Sequence, residues 1–314
     1  MTTSRADIIR GPAVITYDSV SIFTEDDIKL DYDIQTFKMP SSIHGEADER
    51  IDNIAFKLSF KPEGFWAYRS VLCPYHTPIY GTSLGGATDK NVVIQTLAGQ
   101  EITIKAGFIS KMPDLTLSAG KSFWGSCEIT CVGANATAWS DAAKRVAIAG
   151  NAFSDATYNT SGKVTIPYAA AWGASAPWSS IDTLDGWTIS FEMGMDPVTS
   201  DREGILDYTL GAVGVMAKCT PIGVSEANLL SLMKIQGAGI ARGVSLGGNK
   251  NDLVIQGATE ADPKVTIKNC APKTAGYAFG QTTLRVGEIG WVGVNTIASG
   301  ALGQLFDLGV VPGA

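Results

Sequence analysis

From Ile28 to Ile34 every second residue is apolar: Ile28, Leu30, Tyr32 and Ile34 alternate with Lys29, Asp31 and Asp33. A period of two places the apolar set on one face of a strand, so this stretch covers a core on one side and meets water on the other. The alternation returns at Ile54, Phe56, Leu58 and Phe60, with Lys57, Ser59 and Lys61 opposite, and Pro62-Glu63-Gly64 ends it. Between the two, residues 36–52 lose the period: Pro40, Ser41, Ser42 and Gly45 sit among His44, Glu46, Asp48, Glu49 and Arg50. That predicts a long polar loop, and loops of this length inside a compact domain usually carry a function. Two short strands over 13–17 and 20–23 precede the pair, with a turn at Asp18-Ser19, and further strands are expected over 91–97, 101–108 and 126–132. Phe65, Tyr68 and Leu72 have helical spacing. Residues 142–149 leave open a short helix or an extended connector.

The pattern is written twice. Gly81-Thr82-Ser83-Leu84-Gly85-Gly86 returns as Gly243-Val244-Ser245-Leu246-Gly247-Gly248. Val93-Ile94-Gln95 returns as Val254-Ile255-Gln256, Thr103-Ile104-Lys105 as Thr266-Ile267-Lys268, and Glu128-Ile129 as Glu288-Ile289. Val132-Gly133-Ala134-Asn135 likewise returns as Val292-Gly293-Val294-Asn295. Toward the N-terminus the offset is a steady 159, pairing Gly45 with Gly204, Asp48 with Asp207 and Pro62 with Pro221. The same offset lays Ile28, Leu30, Tyr32 and Ile34 on Trp187, Ile189, Phe191 and Met193. So long a period reads as a domain duplication rather than a solenoid. The expectation is a mainly β chain with a first domain over 1–150 and a second over 151–314, each several strands with one flanking helix. In the second half Ser225 is the N-cap, and Leu229, Leu230, Leu232 and Met233 fill a helix face. Residues 150–163 read as a turn-rich linker, and 169–184 as an extra segment carrying Trp172 and Trp178.

The length of 314 residues suits two domains. A net charge of −7 argues against a protein that grips nucleic acid through lysine and arginine, but not against a surface that lets nucleic acid pass. Residues 1–10 are polar and charged and read as a loose arm without a signal peptide; no apolar run approaches the ~18 residues of a membrane span. Five cysteines at sparse spacings form no metal framework and read as small buried hydrophobes, which fits assembly in a reducing cytoplasm.

Both glycine loops fit G-x-S-x-G, the turn that presents a nucleophilic serine in α/β-hydrolases, at Ser83 and Ser245. That chemistry needs a histidine after the serine, and His44 and His76 both precede it. Two lone histidines make a poor metal site. Asp31 and Asp33 share a strand face, but the matching positions are Ser190 and Glu192, so a solvated face is the better reading than an acid–base pair. Trp172, Trp178 and Trp187 keep a carbohydrate-binding module in view. No catalytic residue, cofactor or metal is assigned. Ser83→Ala and Ser245→Ala are expected to leave assembly untouched.

The runs Gly11-Pro12-Ala13-Val14-Ile15-Thr16-Tyr17, Asp27-Ile28-Lys29-Leu30, His44-Gly45-Glu46-Ala47-Asp48-Glu49-Arg50-Ile51 and Lys57-Leu58-Ser59-Phe60-Lys61-Pro62-Glu63-Gly64 resemble a tailed-bacteriophage tail tube (major tail) protein. The resemblance is clearest over 11–72, weakens to strand pattern through 135, and reaches the second half only through the repeat. It implies tandem tail-tube-like β-sandwich or barrel units forming six-fold rings, whose inner strands line a lumen that conducts DNA. A long loop reaches the next ring, here 36–52 and 194–208. The resemblance therefore implies inter-ring roles for His44, Glu46, Asp48, Glu49, Arg50, Asp201, Arg202, Glu203 and Asp207. Lumen-facing positions would be Asp31, Asp33, Ser59, Ser190 and Glu192, although Lys29, Lys57 and Lys61 interrupt a uniformly negative lining. With two units per chain, a homotrimer closes a pseudo-hexameric ring. Implied partners are other copies of the chain, a tape measure, a terminator, distal tail or baseplate proteins and passing DNA, in a virion tail assembled in the host cytoplasm, with no membrane. The alternative is another virion ring or decoration protein, such as a terminator.

Overall fold

The fold, taken from a computed structural model, describes residues 13–41, 43, 45–84, 90–96, 101–118, 122–132, 147–149, 169–173, 178–200, 204–222, 228, 250–257, 263–274, 277–279, 284–294, 297–298 and 301–309. In chain order the first strands are β1 (Ala13–Tyr17), β2 (Val20–Ile22), β3 (Lys29–Ser41), β4 (Gly45–Phe60), β5 (Lys90–Thr96), β6 (Glu101–Lys111), β7 (Leu115–Leu117), β8 (Cys127–Val132) and β9 (Ala147–Ala149). They are followed by β10 (Ala169–Trp172), β11 (Asp182–Ser200), β12 (Gly204–Ile222), β13 (Asn251–Gln256), β14 (Lys264–Thr274), β15 (Tyr277–Phe279), β16 (Leu284–Val286), β17 (Ile289–Val292), β18 (Ile297–Ala298), β19 (Ala301–Leu302) and β20 (Phe306–Asp307). A 3-10 turn at Trp66–Tyr68 runs into the short helix α1 (Arg69–Leu72).

The chain is mainly β, and among the described residues it builds two large antiparallel sheets and two two-stranded ones, β15-β16 and β18-β19. The first has the order β2-β1-β5-β6-β8-β4-β3, with β9 added to β6. The second has the order β10-β13-β14-β17-β12-β11-β7, with β20 added to β14. Setting aside the outermost β2 and β7, the two orders trace the same path.

The registers correspond residue by residue. Leu30 faces Leu58 in β3–β4, and Ile189 faces Ala217 in β11–β12, each 159 residues further on. The ladder slips between Gln35 and Thr36 and between Met39 and Pro40; its counterpart slips between Gly194 and Met195 and between Val198 and Thr199, again 159 on. The irregularity between Lys90 and Val92 in β5–β6 has its match between Asn251 and Leu253 in β13–β14. Two sequence matches are corrected. Lys57 faces Thr130 and Met216 faces Val292, so Val292 corresponds to Thr130 and not to Val132. Ile129 faces Leu58, and Trp291 faces Ala217, so Ile129 corresponds to Trp291 and not to Ile289. A shift of two residues keeps the same strand face, which is why the apolar pattern tolerated it.

The expected loops over 36–52 and 194–208 are strands instead. β3 continues to Ser41 and β4 begins at Gly45, with Ile43 at the tip; β11 continues to Ser200 and β12 begins at Gly204. Thr36, Lys38, Glu49, Asp196, Pro197, Val198 and Thr199 are all exposed. Where exposed positions follow one another, the backbone ladder persists without the apolar alternation that would announce it. The turn at Asp18-Ser19 has positive φ at both residues (50° and 66°), the conformation of a type I′ hairpin whose twist matches its strands. The helix expected from 65 to 72 shortens to α1. Asn228 is helical, and the rest of 225–233 lies outside the described residues. Of 142–149, the last three residues form β9 on β6.

One continuous core runs through both sheets. Leu58, Ile104, Ile109 and Ile129 are buried in the first; Ile189, Ile267, Trp291 and Phe306 in the second. The rings of Trp187 and Trp291 lie 5.4 Å apart and those of Phe191 and Phe306 4.8 Å apart.

Candidate functional site

Opposite the core, strands β8, β4 and β3 present a face of paired charges. Asp31 lies across from Lys57, and Ser59 across from Lys29 and Glu128. Lys29 reaches Asp31 at 3.1 Å and Lys57 reaches Glu128 at 2.7 Å. In the second sheet, Lys218 reaches Glu288 at 3.2 Å, Ser190 is half-buried and Glu192 is exposed. Asp33 is in β3, but its side chain lies outside the described residues. Each of these lysines has a carboxylate neighbour, which weakens its pull on a passing polyanion.

The two hairpin arms carry the residues singled out for contact between rings. Glu46, Asp48, Glu49 and Arg50 lie on β4. Thr36 Oγ1 donates to the exposed Glu49 carboxylate. Ile43, at the tip, is 83% exposed, and Val198 is exposed near the end of the second arm. Neither apolar residue stood out in the sequence. His44, Asp201, Arg202 and Glu203 lie outside the described residues. Asp207 is half-buried and engaged within the chain, accepting from Ser83 Oγ and from the Tyr208 N–H.

That Ser83 contact belongs to a larger junction between the sheets. The strand β7, from the first half of the chain, adds to the edge of the second sheet: Leu117, Thr116 and Leu115 face Trp187, Thr188 and Ile189. Leu115 and Leu117 are fully buried there. Gly186 has φ +84°, and a Cβ at that position would meet the Leu117 carbonyl oxygen at 2.4 Å, so glycine is required for the close approach. Asp114 Oδ1 accepts the Phe191 N–H at 3.2 Å. Farther along, the glycine loop runs beside β12: the Gly81 N–H donates to Leu210 O and the Leu84 N–H to Tyr208 O, both at 2.9 Å. Gly81 has φ +76°. The repeat of this loop at 243–248 lies outside the described residues. The His76 carbonyl accepts the Leu305 N–H at 2.9 Å, and Arg69 Nε donates to Gly309 O at 2.5 Å.

The serine of the first G-x-S-x-G run is therefore held by a carboxylate at a strand-edge contact, not presented on a strand-to-helix turn. Trp172, Trp178 and Trp187 are buried, and Trp172 Nε1 donates to the Cys270 carbonyl at 3.0 Å, so none offers an open stacking surface for a sugar. All five cysteines are buried free thiols, and burial pushes Cys131 and Cys270 up to about 12. Among the described residues no group of His, Cys, Asp and Glu is placed to hold a metal ion, and no helix is long and apolar enough to cross a membrane. No protein-family model matches the chain, and no curated protein matches it.

Proposed function

We propose that the chain is a structural subunit of a phage tail tube, built as two tandem copies of a tail-tube-like β unit, each with a flanking helix. Three chains close a pseudo-six-fold ring. Rings stack through the β3–β4 and β11–β12 arms, around a lumen lined by the face that carries Asp31, Ser59, Ser190 and Glu192. DNA passes along that lumen without being retained, and the tube's other partners are the tape-measure, terminator and baseplate proteins of a virion tail assembled in the host cytoplasm.

The observation that carries this reading is the match of the two long hairpins, whose outer ends share register and two irregularities at a constant offset of 159, while β11 and β12 run further at their inner ends. A sheet whose only purpose was its own core would need neither arm. Two matched arms on one chain suit a ring in which every unit meets the ring above. Open strand edges are an aggregation hazard, and ring closure removes them.

The test replaces residues 36–52 with a tight turn and compares assemblies by negative-stain microscopy. The unaltered chain is expected to form hollow rods and the variant isolated rings. Rods unchanged by the deletion contradict the stacking role of the arm. Rings that never stack in the unaltered chain favour a terminator-like component, and a monomer under all conditions contradicts the tube.

A further inference from the structure

Each sheet has a β3-type edge and each half has a β7-type hairpin, but within one chain only one edge and one hairpin meet. Leu115 bridges to Trp124, so β7 is one arm of a small hairpin, and that hairpin closes the edge of β11. The corresponding hairpin in the second half is β15–β16: Tyr277 faces Val286, each 162 residues beyond Leu115 and Trp124. Among the described residues it joins neither sheet. The corresponding edge in the first half is β3, which among the described residues pairs only with β4.

The β3 edge has what the β11 edge needs covered. Trp187 and Ile189 are 1% and 0% exposed under β7, whereas their counterparts Ile28 and Leu30 are only half-buried. Tyr32, the counterpart of the buried Phe191, is 61% exposed. Beside this edge lies a groove of about 1040 Å³ whose lining includes Ile28, Leu30, Ile94 and Ile102 as well as the acidic run Glu25, Asp26 and Asp27. The β15 sequence Tyr277-Ala278-Phe279 repeats the large-small-large spacing of Leu115-Thr116-Leu117.

We infer that β15 of one chain adds antiparallel to β3 of the next, with Ala278 opposite Lys29 and Tyr277 opposite Leu30, so that the contact between chains repeats the contact between the two sheets of one chain. The geometry is head-to-tail, the kind that closes a ring when the rotation per unit divides the circle. Asp27 stands where Gly186 admits the Leu117 carbonyl, so the pairing is confined to Lys29 and Leu30. The inference deepens the ring reading above and rests on it.

Residues facing each other in an antiparallel pair lie within disulfide reach. Because the native thiols are buried, introduced surface cysteines report selectively. Lys29→Cys/Ala278→Cys is expected to give, on mild oxidation, a reducible ladder ending at three chains. Lys29→Cys mixed with Ala278→Cys is expected to stop at a two-chain species, and each single variant alone to give none. Thr116→Cys/Thr188→Cys serves as the internal control and is expected to cross-link within one chain. If rings form and the internal control cross-links but the Lys29/Ala278 pair does not, this interface is overturned while the ring reading stands. If the ladder forms without closed rings, the pairing stands and ring closure is lost. If neither rings nor cross-links form, both fall.

Discussion

Ser83 and Asp207 illustrate how a residue's role depends on a contact that lies far away in the chain. The sequence placed Ser83 in a hydrolase-like run and Asp207 on a stacking loop; the fold joins them, hydroxyl to carboxylate, across the junction between the sheets. Ser83→Ala is expected to leave assembly untouched, and the contact adds a cost in stability. A half-buried hydrogen bond to a charged group is worth about 1–2 kcal/mol, so Ser83→Ala and Asp207→Ala should each lower stability by about that amount. Their double variant should cost less than the sum, because each single change already breaks the shared contact. Denaturant unfolding of the four proteins measures this, and strict additivity would contradict the pairing. Other residue-scale features were legible beforehand. The cysteines read as buried hydrophobes and are buried. The turn residues Asp18 and Ser19 were marked by composition, although not by their left-handed conformation.

At the scale of elements, legibility followed burial. The strands β1, β5, β6 and β8 lie over a core, so their alternation announced them to within a few residues. The outer halves of β3 and β4 lack that alternation, and they read as loop. The strand β7 left no signal because it has three residues and its partner β11 lies some seventy residues further on; no local pattern encodes such a pairing. The β1–β2 hairpin gives a direct test of local chemistry. Ser19 holds φ 66°, a region costly for a residue with a Cβ and open to glycine. Ser19→Gly should raise stability by about 0.5–1 kcal/mol, measured as a higher melting temperature. Because the flanking Tyr17–Val20 pair is unchanged, the oligomeric state should not move.

For the whole molecule, the proposed duplication draws on shared tripeptides in the sequence and on matching registers in the two large sheets. Gaps of 159 in β3 and β4, 161 in β5, 163 in β6 and 162 in β8 separate matching residues, and insertions fall between strands, where extra length is cheapest. What no single half of the sequence contained is the asymmetry: among the described residues one edge is covered from within, while one edge and one hairpin add to no further strand. A chain that carries a complementary edge and hairpin is suited to meeting another copy of itself. The central claim is tested most directly by an end-on electron-microscopy average of the purified, assembled protein. The account predicts a central hole surrounded by six similar lobes related by a strict three-fold axis, two lobes to each chain. A solid disc, or a ring whose lobes do not fall two to a chain, would contradict it.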